Sequence, residues 1–258
     1  EIKEEAIISS QQNIYIKFPM LNVPSDRFRE MMKEPPVYEV SVKEDEQNKE
    51  ARFIIKMFED KKWGSFHESL SYFMKKYPDS KYDEIMRHML AESRIHDYLE
   101  KGDLKAYEQF RSEYRYLLEK YPDSVLAERN LMILGQSALH RKDGAQALQS
   151  FERYLEKYPQ SSERDRVLFG IADAYVGLYK HQDAIKIYDQ IQKESKNPDA
   201  VAEAAFRRGD VSFSKGDYKL AEATYAEAIK KHPTYQKTLP NAQYNLSEAR
   251  FWQGKYKD

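Results

Sequence analysis

His88, Glu92 and His96 are spaced four residues apart. On a helix, positions i, i+4 and i+8 share one face, and two imidazoles with a carboxylate can hold a divalent cation. A closed site needs a fourth ligand and a supporting shell of hydrogen bonds. Neither a cysteine nor an acidic motif accompanies the three residues, so a solvated His/Glu face is the plainer reading and no metal or cofactor is expected. Nucleophile motifs and Gly-rich phosphate loops are absent. The six histidines and the many carboxylates are scattered over helical stretches with no strand-end or loop context, and enzymatic activity is not expected. Arg111, Arg115 and Tyr116 could face a nucleic acid. However, Glu108, Glu113 and Glu119 interleave with them, and 42 basic against 43 acidic residues leave a net charge of −1. A solvated helix face fits this balance better than a phosphate-binding surface.

What positions these residues is a periodic chain. The phrases Lys75-Lys76-Tyr77-Pro78-Asp79-Ser80, Glu119-Lys120-Tyr121-Pro122-Asp123-Ser124, Glu156-Lys157-Tyr158-Pro159-Gln160-Ser161 and Lys230-Lys231-His232-Pro233-Thr234 each close a helical stretch, and Lys196-Asn197-Pro198 acts as a degenerate stop. The prolines are 44, 37, 39 and 35 residues apart. Such a period marks stacked helix pairs, because one pair alone cannot bury its apolar face. Proline lacks the N–H that the next turn would need. The Asp and Ser that follow it are good N-caps, and Ser80-Lys81-Tyr82-Asp83 has capping-box spacing.

The composition agrees with a helical array. The mean hydropathy is −0.85, yet 41% of the 258 residues are hydrophobic and lie at helical spacing. The 20 tyrosines suit helix seams that are apolar on one side and wet at the rim. No apolar run approaches the roughly 18 residues of a membrane span. The absence of Cys excludes disulfides and thiolate sites and leans slightly towards an oxidising compartment. Starting at Glu1 and stopping at Asp258 in mid-motif, the sequence is expected to be a piece of a longer protein, with room for a signal or anchor upstream.

Residues 1–47 form a separate N-terminal element. Asn13–Phe18 and Val37–Val42 alternate apolar and polar residues, which predicts two short strands. They either complete a sheet lying upstream or pair and pack on the first helices. Between them Pro24-Ser25-Asp26 opens a short helix through Met32, stopped by Pro35-Pro36. Residues 43–50 are expected to be a charged linker. Helix pairs follow: 51–59 with 65–76, 82–101 with 104–120, 126–141 with 145–157, 166–178 with 182–194, and 202–214 with 218–231. Residues 241–253 form the first helix of a sixth pair.

Repeat five carries Gly209, Gly216-Asp217-Tyr218, Ala221, Tyr225, Ala228 and Pro233. Repeat four carries Ala172, Tyr175, Ala184 and Tyr188. Repeat three carries Leu134-Gly135, Ala147, Phe151 and Pro159, and the sixth Leu246, Gly254 and Tyr256. Repeats one and two are looser, with Phe66, Leu70 and Phe73, then Phe110, Tyr114 and Leu117. This pattern resembles the tetratricopeptide repeat. The resemblance covers about residues 48–258, or five and a half repeats. It implies an all-α, right-handed superhelical solenoid (TPR type), here with a small strand-containing N-terminal element. The Lys-Tyr-Pro-Asp-Ser phrase also resembles tetratricopeptide proteins of Gram-negative envelopes, such as barrel-assembly lipoproteins and Tol-Pal coordinators. That implies a periplasmic or envelope location, with the cytoplasm as the alternative.

In that family the first helix of each pair lines a concave groove. Carried over, the groove positions are Arg129, Met132 and Gln136; Arg166, Phe169 and Asp173; Phe206, Asp210 and Phe213; and Tyr244, Glu248 and Phe251, with Leu139, His140, Val176, Glu203, Asn241 and Trp252 beside them. Asp173, Asp210 and Glu248 then fall at one equivalent position, joined by Glu92. An acidic ladder beside aromatics suits a partner segment with basic and apolar residues. The plainer alternative has the aromatics packing on neighbouring repeats and the carboxylates merely solvated. The Lys/Asn/Arg clamp with which some relatives hold a carboxyl-terminal tail is missing, since Gln136, Asp173 and Asp210 occupy its slots. The expected function is protein-protein interaction scaffolding in a bacterial envelope complex. The rival is a structural subunit of a large machine that uses its convex face and N-terminal strands.

Overall fold

A computed structural model describes residues 24–33, 36–38, 45–235 and 240–255. Among these, twelve helices and no strand occur. They are α1 (Pro24–Met31), α2 (Glu46–Glu59), α3 (Trp63–Lys76), α4 (Asp83–Lys101), α5 (Leu104–Lys120), α6 (Ala127–His140), α7 (Gly144–Lys157), α8 (Arg164–Gly177), α9 (His181–Glu194), α10 (Pro198–Ser214), α11 (Tyr218–Lys231) and α12 (Pro240–Trp252). The expected strand at 13–18 lies outside the described residues. So do residues 39–42 of the second, while Val37 and Tyr38 have no regular structure. The described residues form two compact units, one of residues 29–134 and one of 24–28 with 135–255.

In the unit of residues 29–134, the expected linker 43–50 is corrected. Helix α2 already starts at Glu46, because the Asp45 carboxylate accepts the Asn48 backbone N–H at 2.7 Å and so caps a free helical donor. Asn48 is fully buried and accepts the Tyr82 hydroxyl at 2.6 Å. Polar side chains hid this first turn from a hydrophobic pattern. Ala51, Ile54, Phe58, Phe66, Leu70, Phe73, Met86 and Met89 form the core of α2–α4. Helix α5 adds Tyr107, Phe110 and Tyr114, packed edge to face at 5.3 and 6.3 Å between ring centres.

The unit containing residues 135–255 shows why paired helices look unlike each other in sequence. Helix α8 packs on α7, α9 and α10. It therefore buries Val167, Leu168, Phe169, Gly170, Ile171 and Ala172 in succession, nearly all round. Helices α9 and α11 bury only a stripe, Ala184, Tyr188 and Ile191, then Ala221, Tyr225 and Ala228. The Phe151 ring lies where a side chain on either neighbouring glycine would be. A Cβ on Gly135 would stand 2.3 Å from it and one on Gly170 2.6 Å.

The recurring phrases are built alike. Tyr77, Tyr121, Tyr158 and His232 end their helices at φ of −126°, −125°, −126° and −132°. Ser80, Ser124 and Ser161 then accept the backbone N–H two residues on, each at 3.0 Å. This corrects the capping box expected at Ser80: the hydroxyl closes a loop turn instead, and α4 starts at Asp83 without a side-chain cap. Lys196-Asn197-Pro198 is corrected too, since Pro198 opens α10 and the Asn197 side chain caps it. Within pairs the turn passes through a left-handed residue: Lys61, Gly102, Lys142, Tyr179 and Gly216 all have φ between 55° and 75°.

Candidate functional site

In the unit holding residues 24–28 and 135–255, charged side chains gather around the Phe169 ring. Phe169 and Asp173 are one turn apart on α8, while Glu203 and Arg207 are one turn apart on α10. The Arg207 guanidinium is almost fully buried. Its Nη1 donates to Asp173 Oδ1 at 2.7 Å, its Nη2 stands 2.6 Å from Glu203 Oε1, and its plane lies 4.9 Å from the Phe169 ring centre. Arg27 of α1 joins the cluster. Its Nη2 donates to Glu203 Oε1 at 3.1 Å, its Nη1 stands 3.9 Å from Asp173 Oδ2, and it lies 5.7 Å from the same ring centre. Next to it, Phe28 is completely buried, its ring 5.7 Å from that of His140.

Two guanidinium groups therefore share two carboxylates over one aromatic face. Burial raises the Asp173 carboxyl, and the charges of Arg207 and Arg27 oppose that. Burial and then the Arg207 charge lower the pKa of Arg27, whereas Asp173 and Glu203 hold it up. Arg207 is destabilised by burial but rescued by Asp173, Tyr188 and Glu203, and its net shift is upward. Such an arrangement selects a planar, forked cation that can stack.

Asp210 stands apart from this exchange. Its Oδ1 accepts a short bond from the Tyr225 hydroxyl and another from Asn245 Nδ2 at 3.0 Å, all three side chains being buried. Burial pushes its carboxyl up to about 6, against those two hydrogen bonds. Because the folded pKa exceeds the unfolded one, the folded state keeps a proton that the unfolded state loses between about pH 4 and 6. Stability from this group is thus greatest below pH 4 and falls as pH rises towards 6. Asp210→Asn should remove that slope. Relative to the variant, the wild type should lose on the order of 2–3 kcal/mol in urea unfolding between pH 4 and 6.5. Parallel pH curves for the two proteins would contradict this assignment.

The remaining expected groove positions are placed variously. Met132, Gln136 and Phe206 are buried, and Phe206 stacks on Tyr235 at 6.2 Å. Arg129 pairs with Glu92 at 3.4 Å, and Arg166 with Glu163 at 3.4 Å. Phe213 packs edge-on to Tyr218 at 5.5 Å. Tyr244 and Glu248 are half-buried, and Phe251 is exposed against Trp252. The acidic ladder is thus no uniform surface, because Asp173 is ion-paired, Asp210 is buried in a hydrogen-bonded triad and Glu248 is half-buried. His88, Glu92 and His96 engage separate partners: His88 lies against Tyr114 at 5.9 Å, Glu92 meets Arg129, and His96 lies 5.0 Å from the Trp63 ring. Burial pushes His88 down to about 4 and Glu92 up to about 7. Among the described residues, no three metal-binding side chains converge and no helix is long and apolar enough to cross a membrane.

Sequence reasoning did not single out Arg27, Phe28 or Arg207. A signal for Arg207 exists in the run Ala204-Ala205-Phe206-Arg207-Arg208-Gly209, where a cation sits among residues too small and apolar for a solvated face. For Arg27 no local signal could tell where its helix docks.

Comparison with known proteins agrees with this architecture. Two family profiles, both described as tetratricopeptide repeat, match residues 129–161 and 169–235. A tetratricopeptide repeat protein from Parabacteroides merdae has a similar solved structure, at TM-score 0.54 and 15% identity, over 81% of this chain and 74% of that one. The apo form of RapI is similar at TM-score 0.53 and 12% identity, over 82% and 73% of the two chains. Among curated proteins, none matches the sequence significantly. Residues 129–161 and 169–235 thus carry tetratricopeptide repeats, and the solved structures share the helical fold.

Proposed function

We propose that this chain is a non-catalytic scaffold that holds a segment of a partner protein against the first helices of its repeats, within an assembly in a Gram-negative cell envelope. One observation carries the binding reading: Phe169, Asp173 and Glu203 form a seat that accepts a guanidinium from another segment. Basic and apolar residues are what such a seat selects, since carboxylates orient the charge and the ring accepts its flat face. The stacked helices are already ordered, so a partner segment bears most of the ordering cost itself. The histidines and carboxylates described above are spent on packing and ion pairs, which favours a role without catalysis. The envelope setting rests on the recurrent Lys-Tyr-Pro-Asp-Ser phrase and the absence of Cys.

A second reading, a structural subunit that binds elsewhere on its surface, is favoured by the exposed rings of Phe53 and Tyr72 on α2 and α3. Affinity capture with crosslinking from native cells separates the two. Glu203→Gln alters the seat and leaves the buried triad of Asp210 intact. This variant should lose one dominant partner while its helical circular-dichroism signal stays unchanged. An unaltered partner set would remove the seat from the account and favour the exposed rings.

A further inference from the structure

We propose that the part of α1 carrying Arg27 and Phe28 is a resident ligand of this seat, and that the external partner is a helical segment presenting an arginine beside an aromatic residue, which competes with Arg27 and Phe28. The inference rests on the binding reading above and names its ligand class. Three observations support it. The Arg27 guanidinium is divided between Glu203 and Asp173 and lies over Phe169, so one side chain uses charge, hydrogen bonding and ring face together. Phe28, its neighbour, is wholly buried beside His140, giving the segment an apolar anchor next to its charged one. Arg207 already neutralises much of the same carboxylate pair and opposes Arg27, so the occupant is held less firmly than the seat itself.

A ligand that two carboxylates attract but a second arginine repels can be exchanged while Arg207 keeps the carboxylates paired. Arg207 remains at 2% exposure as the permanent counter-charge, whereas Arg27 is at 18% and reachable by solvent. Lysine is a poor substitute in the competitor, because an ammonium neither stacks flat on Phe169 nor forks between two carboxylates.

The probe is a fluorescent peptide of residues 24–33, titrated into the full chain. Wild type should bind it weakly. Arg27→Ala/Phe28→Ala should bind at least tenfold more tightly, with Arg27→Ala alone in between. The same peptide carrying Arg27→Lys should lose most of that gain, as should the wild-type peptide on a Glu203→Gln background. If the double variant does not fold by circular dichroism, Arg27→Ala alone decides the matter. Equal binding by wild type and a folded variant, or binding by neither, overturns the inference. So does a wild-type dimer in sedimentation that Arg27→Ala dissolves, since a second copy would then supply α1. The two proposals fail separately. Peptide uptake by the vacated seat, together with a cellular partner indifferent to Glu203→Gln, upholds the resident ligand and removes the scaffold's binding mode. A partner lost with Glu203→Gln, together with no peptide uptake, does the reverse.

Discussion

Replacing Arg207 by Met is expected to lower unfolding stability by about 3–5 kcal/mol, as measured in urea. Methionine keeps the length of the apolar stem but strands Asp173, held at 10% exposure, and leaves Glu203, at 17%, with Arg27 at 3.1 Å as its cation. Charges left unpaired in that environment cost more than the pair itself contributes, because desolvation is no longer offset. Arg27 cannot take over, since its closest approach to Asp173 is 3.9 Å against 2.7 Å for Arg207. Adding Asp173→Asn and Glu203→Gln to the Met variant should return most of the loss. A cost below about 1 kcal/mol, the range of solvent-exposed pairs, would mean that water reaches the cluster.

The second large effect centres on Phe151. Phe151→Ala should cost about 3–5 kcal/mol, because the ring is fully buried and its removal leaves a cavity that helices cannot easily close. Gly170→Ala alone should cost about 1–3 kcal/mol, since the new methyl would lie 2.6 Å from the ring. Combined with Phe151→Ala, the same methyl enters empty space and should become neutral or stabilising. The four urea midpoints form a double-mutant cycle with a coupling of opposite sign to the single effects. Additive costs would show that ring and glycine do not share that space.

The fold was legible where one physical cause acted alone. Helix α11 at 218–231 agrees with its sequence reading at both ends, because Asp217 caps it and His232-Pro233 stops it. The small residues Gly209 and Ala221 were meaningful for the same reason, Gly209 lying where the Tyr225 ring leaves no room for a side chain and Ala221 being fully buried. Reading failed where polar residues do structural work. The first turn of α2 looked like linker because Asp45 and Asn48 are polar, yet one caps the helix and the other is buried. The candidate site was half legible. Family positions pointed to Phe169 and Asp173, but the spacing of acids along the chain cannot report that Arg207, from the following pair, is buried between two of them. Nor can it report that Arg27, nearly 150 residues away in sequence from Asp173, closes the same cluster. Long-range ion pairs leave no periodicity.

The left-handed turns within pairs do not all bear their conformational burden in the same place. At Gly102 and Gly216 the cost falls on the unfolded chain, where glycine gives up the most freedom. At Lys61, Lys142 and Tyr179 it falls on the folded one, as roughly 1 kcal/mol of steric strain at each. Amide protons flanking the Lys and Tyr turns are consequently expected to exchange faster than those flanking the glycine turns. The residue at one recurring backbone position should therefore set which turns open first on heating.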